Sequence, residues 1–179
     1  IHYGYAPAVT LWTVQRESLK ERHFGHYLPN LLNFLPGVVT TRYAGAWICS
    51  TGIRVRGSDA SRVNVTINGI PYNDSESQGT FWVNLPDFTS SVESIQLNRG
   101  VGTSTNGAGA FGASLKRSTQ GITEQAFGEI SSGFGSFGTL RNTIKFSTGL
   151  LDEHFELSGR VGTISSNGYI DRASSDLKS

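Results

Sequence analysis

Apolar and polar positions alternate with a period of two along most of this chain, and a helical spacing shows only near its start. Val9 to Val14 read as a short strand, and Arg16 to Arg22 as a solvated helical piece that Gly25 ends. From about Tyr27 the spacing predicts a second helix. Pro29 is tolerated in its first turn, Leu28, Leu31, Leu32 and Leu35 form an apolar stripe of ordinary core, and Pro36-Gly37 stops it. Beyond Gly52 short strands take over. Ile53 and Val55 alternate with Arg54 and Arg56, and Val63, Val65 and Ile67 alternate with Asn64 and Thr66, as half-buried strands do. Asn68-Gly69 then accepts the positive φ of a tight hairpin turn, and Pro71 limits further pairing. Tyr72 to Asn84 is too rich in turn formers for an element and ends on Phe81 and Trp82. Val92, Ile95 and Leu97 mark another strand, which runs into Arg99-Gly100 and a small-residue tract from Val101 to Gly112.

After Gln120 the alternating stretches lengthen. Leu140, Ile144, Phe146 and Leu150 are apolar, while Arg141, Thr143, Lys145 and Ser147 are polar. Phe155, Leu157 and Val161 repeat this against Glu156, Ser158 and Arg160. Leu151 to His154 make a short connection, and Ser165 to Tyr169 begin a longer one. A membrane barrel strand needs ~9 to 11 residues with such alternation, short turns on one side and longer loops on the other. Periodicity alone fits the edge of a water-soluble antiparallel sandwich equally well.

Composition supports strands and turns. Among 179 residues, 37% are hydrophobic, only 16% are charged and 22 are glycine. The formal charge is +1, with Lys and Arg scattered, so there is no basic field to attract nucleic acid. The single cysteine, Cys49, excludes an internal disulfide framework and multi-thiolate metal sites. His23 and His26 have no third ligand nearby, and Gly25 breaks the helix that would align them, so no metal site is expected. Asp59, Asp74, Glu76 and Asp87 match no cation-loop spacing, and turn capping accounts for them. The glycine tract lacks the Gly-Lys-Ser/Thr of a phosphate loop and the spacing of a dinucleotide site. No enzymatic activity and no cofactor are expected. No apolar run reaches a membrane-spanning helix, and nothing at the start resembles a signal peptide. The chain has no methionine, so both ends are read as boundaries of a fragment.

Four segments, in order, carry a family resemblance. Gly52-Ile53-Arg54-Val55-Arg56-Gly57 resembles the Ile-x-x-Arg-Gly signature of TonB-dependent receptor plugs, and Arg62 to Pro71 resembles the plug's strand, tight turn and proline. Val92 to Gly100 is similar to its second Arg-Gly strand, and Asn106 to Gly112 to the small-residue stretch before its last strand. Val9 to Val39 looks like a plug's opening, while Gly57 to Ala60 and Phe81 to Asn84 are similar to receptors of the Bacteroidetes type. Lys116-Arg117 departs from the pattern, standing where an apolar-alternating strand is usual, and puts that strand's packing in doubt. No TonB-box peptide precedes Ile1.

The resemblance implies an α+β plug domain, a small mixed sheet with short helices, over residues 1–120. It is followed over 121–179 by about three antiparallel strands that begin a transmembrane β-barrel. It implies an outer-membrane importer of a Gram-negative bacterium, in which a plug blocks a ~22-stranded barrel. The implied partners are TonB, acting by strand addition on an N-terminal segment not covered here, the receptor's own barrel, outer-membrane lipid and a small-molecule or chelate ligand. An iron-siderophore is the favoured cargo. By analogy Arg42 to Thr51, Ser75 to Trp82 and Thr103 to Ala108 are outward loops, with Tyr43, Trp47, Gln78, Phe81 and Trp82 as ligand contacts, or as packing against the barrel in the case of the aromatics. Arg56 and Arg99 are the expected docking residues, facing barrel glutamates beyond Ser179, and Arg54 and Arg62 are better read as solvated. The alternative is a secreted or surface all-β adhesion or glycan-binding module using the same aromatics.

Overall fold

A computed structural model of the chain describes residues 2–6, 9–16, 28–42, 51–101 and 110–179. The expected helical piece at 17–22, with His23, His26 and Cys49, lies outside them. Strands β1 (His2–Ala6) and β2 (Val9–Gln15) form an antiparallel hairpin. The helix expected from Tyr27 is a single turn, α1 (Leu28–Leu31), continued by turns to Gly37. It is short because Pro36-Gly37 follows so soon, yet Leu31, Leu32 and Leu35 are all buried as the stripe requires.

Strands β3 (Val38–Arg42) and β4 (Thr51–Val55) make a two-stranded antiparallel sheet. Strands β5 (Val63–Ile67), β6 (Ile70–Pro71), β7 (Val92–Arg99) and β8 (Ala113–Thr119) join the first hairpin in a six-stranded sheet ordered β1-β2-β7-β8-β5-β6. The β5–β8 pairing is parallel and the others antiparallel, so the sheet is mixed. Its interior holds Val63, Val65, Ile95, Leu97, Ala113 and Leu115, in one core with Ile53, Val55, Leu31, Leu32 and Leu35. Strand β5 differs from the half-buried expectation: Asn64 and Thr66 are buried as well as Val63 and Val65. A strand with a parallel partner inside a sheet is covered on both faces.

The remaining strands are β9 (Phe127–Gly135), β10 (Thr139–Leu151), β11 (Phe155–Ser166) and β12 (Ser175–Lys178), a four-stranded antiparallel sheet ordered β12-β11-β10-β9. The β10–β11 turn is tight, with left-handed backbone at Asp152 and Glu153 (φ 51° and 57°), while 167–174 make a longer connection. The two faces of this sheet are inverted relative to a soluble protein. Arg141 and Thr143 are buried against Asp87 and Ser147 against Thr123 of the linker, whereas Ile130, Ile144, Phe146, Leu157 and Val161 face outward. Phe134 on the outer face is 86% exposed. Water-soluble sandwiches bury the apolar face; burying the polar one and presenting the apolar one is the arrangement of a membrane barrel wall. That distinction separates the two readings that periodicity left open. No helix among the described residues is long and apolar enough to cross a membrane, which says nothing about strands.

Candidate functional site

Arg56 and Arg99 come together at one end of the mixed sheet. Arg56 follows β4 with φ 50° and Gly57 with φ 81°, a left-handed pair that turns the chain sharply, and the Arg56 N–H donates to Gly37 O at 2.7 Å. Arg99 ends β7, donates from Nη1 to Pro36 O at 2.7 Å and lies 5.1 Å over the Trp12 ring. A Cβ on Gly37 would sit 3.5 Å from Arg56 Cγ and 3.7 Å from Arg99 Nη1, so both side chains cross above this left-handed glycine. Partial burial, and then the neighbouring Arg56 charge, draw the Arg99 guanidinium below its ordinary value. Its Nε is buried with no hydrogen-bond partner among the described residues. Two like charges are thus held close together above Gly37. Arg54 and Arg62 are exposed, Arg62 lying 5.7 Å from the Phe111 ring.

Of the residues expected to touch ligand, Tyr43 and Trp47 lie outside the described residues, as does the tract 102–109. Gln78 and Phe81 are exposed, and Phe81 keeps 53% of its surface in solvent. The loop bearing Gln78 is firmly built. Asn73 Oδ1 accepts from Val65 N at 2.7 Å and Asn73 Nδ2 donates to Val63 O at 3.0 Å, extending the edge of β5 by one side chain. Asp74 accepts from the Ser77 N–H at 2.7 Å and the Ser77 hydroxyl at 2.8 Å, and these bonds, the amide's first, hold its carboxyl below the usual range. Asp59 is likewise lowered, chiefly by the Ser61 hydroxyl at 2.5 Å. Turn capping therefore accounts for Asp59 and Asp74.

Trp82 is 2% exposed and packs on Arg117, so the packing role, the alternative to ligand contact, is the one its geometry supports. Arg117, the residue that put β8 in doubt, is itself 1% exposed. Strand β8 forms and is paired on both sides, because the guanidinium is enclosed by three rings, 5.5 Å from Tyr72, 5.1 Å from Trp82 and 5.2 Å from Phe88. Burial lowers its pKa to about 10, and Nε and Nη2 find no hydrogen-bond acceptor among the described residues. Aromatic faces stand in for a counter-ion.

Asp87 breaks the turn-capping expectation. It has left-handed backbone (φ 50°), and its carboxylate, 1% exposed, faces strands β10 and β11. Oδ1 accepts from Arg141 Nε at 3.0 Å and the Ser90 hydroxyl at 2.8 Å; Oδ2 accepts from Thr143 Oγ1 at 3.0 Å and Arg160 Nη1 at 2.9 Å. Sequence reasoning missed this cluster. Its trace was the pair of arginines on the polar face of two adjacent strands, which need an acid between them. Arg16 makes a looser connection, 3.8 Å from Glu93 and 3.5 Å from Glu129 on β9. The linker is pinned by Glu156, which accepts from Thr123 N at 2.9 Å, Thr123 Oγ1 at 2.7 Å and Ser147 Oγ at 2.6 Å. Among the described residues no group of three His, Cys, Asp or Glu is placed to hold a metal.

A mixed sheet with an Arg-Gly pair at one end, set against strands whose polar face turns inward, defines a plug seated on a barrel wall. The chain belongs to the family described as TonB-dependent Receptor Plug Domain, whose model matches residues 6–114. Among solved structures it is similar to the ferric yersiniabactin uptake receptor of Yersinia pestis, with 21% identity, TM-score 0.64, and 90% of this chain against 24% of that one. It is also similar to the pyoverdine outer membrane receptor of Pseudomonas aeruginosa (18%, TM-score 0.69, 90% and 23%). A copper transporter matches as well (15%, TM-score 0.69, 93% and 26%). The chain thus spans about a quarter of the length of these proteins. No curated protein matches it in sequence.

Proposed function

We propose that this chain is the gate of an outer-membrane active-transport receptor, which binds a scarce nutrient of the ferric siderophore class and imports it with energy transmitted by TonB. The inverted β9–β11 face carries this reading, since an apolar surface turned outward and a polar one wrapped on a plug belong together only in a plugged membrane barrel. In this reading residues 1–120 are the plug, 121–179 start the barrel, the protein resides in the outer membrane and its chemistry is non-covalent. Arg56 and Arg99 dock on barrel carboxylates, and Tyr43, Trp47, Gln78 and Phe81 contact the cargo. TonB engages a segment N-terminal to β1. Siderophore cargo is supported by what two of the similar structures are named for, the copper transporter being the contrary example. An adhesion module needs no such inverted face.

The test is uptake of radiolabelled iron by a strain deleted for the gene, offered a panel of defined ferric siderophores. Loss of uptake for one of them, restored by the gene and abolished by a protonophore, is the expected result. Unchanged uptake across iron, haem and copper sources would refute the transport reading.

A further inference from the structure

The structure assigns to Asp87 a second fastening of the plug, opposite in polarity to the Arg56/Arg99 pair: here the plug supplies the acid and the barrel wall supplies the bases. This rests on the reading of β9–β12 as barrel wall. Asp87 immediately precedes a 3-10 turn (Phe88–Ser91) that leads directly into β7, so whatever holds it holds the start of a central plug strand. Arg141, Thr143 and Arg160, which all bond its carboxylate, come from the wall. Arg160 Nη1 also reaches Asp87 O at 2.9 Å, Arg141 Nη2 donates to Ser90 Oγ at 2.6 Å, and Lys145 Nζ donates to Ser90 O. One turn of the plug therefore receives three cations through side chain and backbone together.

The wall is shaped for this contact. A Cβ at Gly162 on β11 would lie 3.1 Å from Asp87 Oδ2 and 2.9 Å from Ser179 Oγ, so any larger residue crowds the carboxylate. Its backbone is ordinary, and space is what the glycine supplies. Beside the pair lies a cavity of about 250 Å³ that runs along the seam, with Ser90, Ser91, Lys145, Glu156 and Arg160 among its lining. Water entering there can solvate the charges as they part. A buried carboxylate between two guanidinium groups is costly to break when one partner alone is removed, because the other charges stay buried. Polar walls of this kind let the pair separate as a unit. Asp87 is thus a releasable clasp that keeps this side of the plug closed on β10 and β11.

The experiment uses the intact receptor in three forms: wild type, Asp87→Asn, and the triple variant Asp87→Asn, Arg141→Gln, Arg160→Gln. Hydrogen exchange at Ser90 to Val92 and ion leak through planar bilayers are measured on each. Asp87→Asn should speed that exchange at least about tenfold, the scale of a lost charge-assisted bond, and raise the leak. The triple variant, in which the two guanidinium partners of the carboxylate are neutralised along with it, should leak less than Asp87→Asn alone. Wild-type exchange and leak in Asp87→Asn would overturn the clasp, and so would a triple variant that leaks as much as the single one. If Asp87→Asn fails to assemble, the triple variant decides, since assembly with a closed plug supports charge pairing and failure in both contradicts it. Neither readout requires import, so a receptor that transports none of the tested cargo leaves the clasp measurable and counts only against the transport reading.

Discussion

Arg117 occupies a core position in which an aliphatic side chain would ordinarily complete β8, and three aromatic rings make room for its charge. Its folded pKa of about 10 lies below the ordinary guanidinium value, so the unfolded chain holds the proton more tightly. The sign follows: burial of this cation opposes folding fully below pH 10, and stability rises as pH climbs from there toward the unfolded value. Cation-π contact, worth ~2 kcal/mol or more when desolvated, offsets that cost. Arg117→Met keeps the volume and removes the charge, and should leave plug stability unchanged or raised. Arg117→Ala leaves a hole and should cost ~2 to 4 kcal/mol. Hydrogen exchange of the β8 amides in the intact receptor checks both, and a Met variant as damaged as the Ala one would show that the charge itself is indispensable. The doubt raised at Lys116-Arg117 had a physical basis, but sequence shows neither that Tyr72, Trp82 and Phe88 converge nor that Trp82 faces inward. Those contacts join residues far apart along the chain.

At the scale of elements, the strands with clean alternation were legible: β4, β7, β10 and β11 each follow from period-two patterning and the turns that bound them. The β1–β2 pairing and the β12 strand were not. Strand β12 is four residues long and largely polar, and it exists because β11 offers it an edge. The inward or outward sense of a strand is also illegible from alternation, since both faces repeat every second residue and only packing tells which is covered. That sense gives a prediction for β10. Phe146→Lys puts an ammonium on the outward face and should cost ~2 to 4 kcal/mol if it lies near the bilayer midplane, falling to ~0 to 1 near an interface. Denaturant unfolding of the intact receptor in lipid vesicles measures this. A cost that is the same in detergent-free buffer as in lipid would contradict the wall assignment.

For the molecule as a whole, the charged contact of the first sheet's loops with β10 and β11 runs through Asp87, and the proposed docking of Arg56 and Arg99 would add one of opposite polarity. Arg56 and Arg99 were singled out by the family resemblance of two Arg-Gly strand endings, whereas Asp87 resembled any acid in a turn. If the arginines dock on barrel carboxylates, replacing both with alanine should leave the barrel in the outer membrane and cargo affinity within a few-fold. It should also increase passive leakage of small antibiotics and impair energised uptake. Antibiotic sensitivity and uptake equal to wild type would refute their docking role. This outcome is independent of the Asp87 clasp, which lies against different strands.

The central claim is that strands β9 to β11 turn their apolar face to lipid and their polar face to the plug. Nitroxide labels placed singly at Thr143, Ile144, Phe146, Ser147 and Val161 of the intact receptor in bilayers, in a Cys49→Ser background, test it most directly. Labels at Ile144, Phe146 and Val161 should be accessible to dissolved oxygen and protected from a water-soluble nickel chelate, while those at Thr143 and Ser147 should be shielded from both. High chelate accessibility at Ile144, Phe146 and Val161 would mean that this face meets water, and would contradict the account.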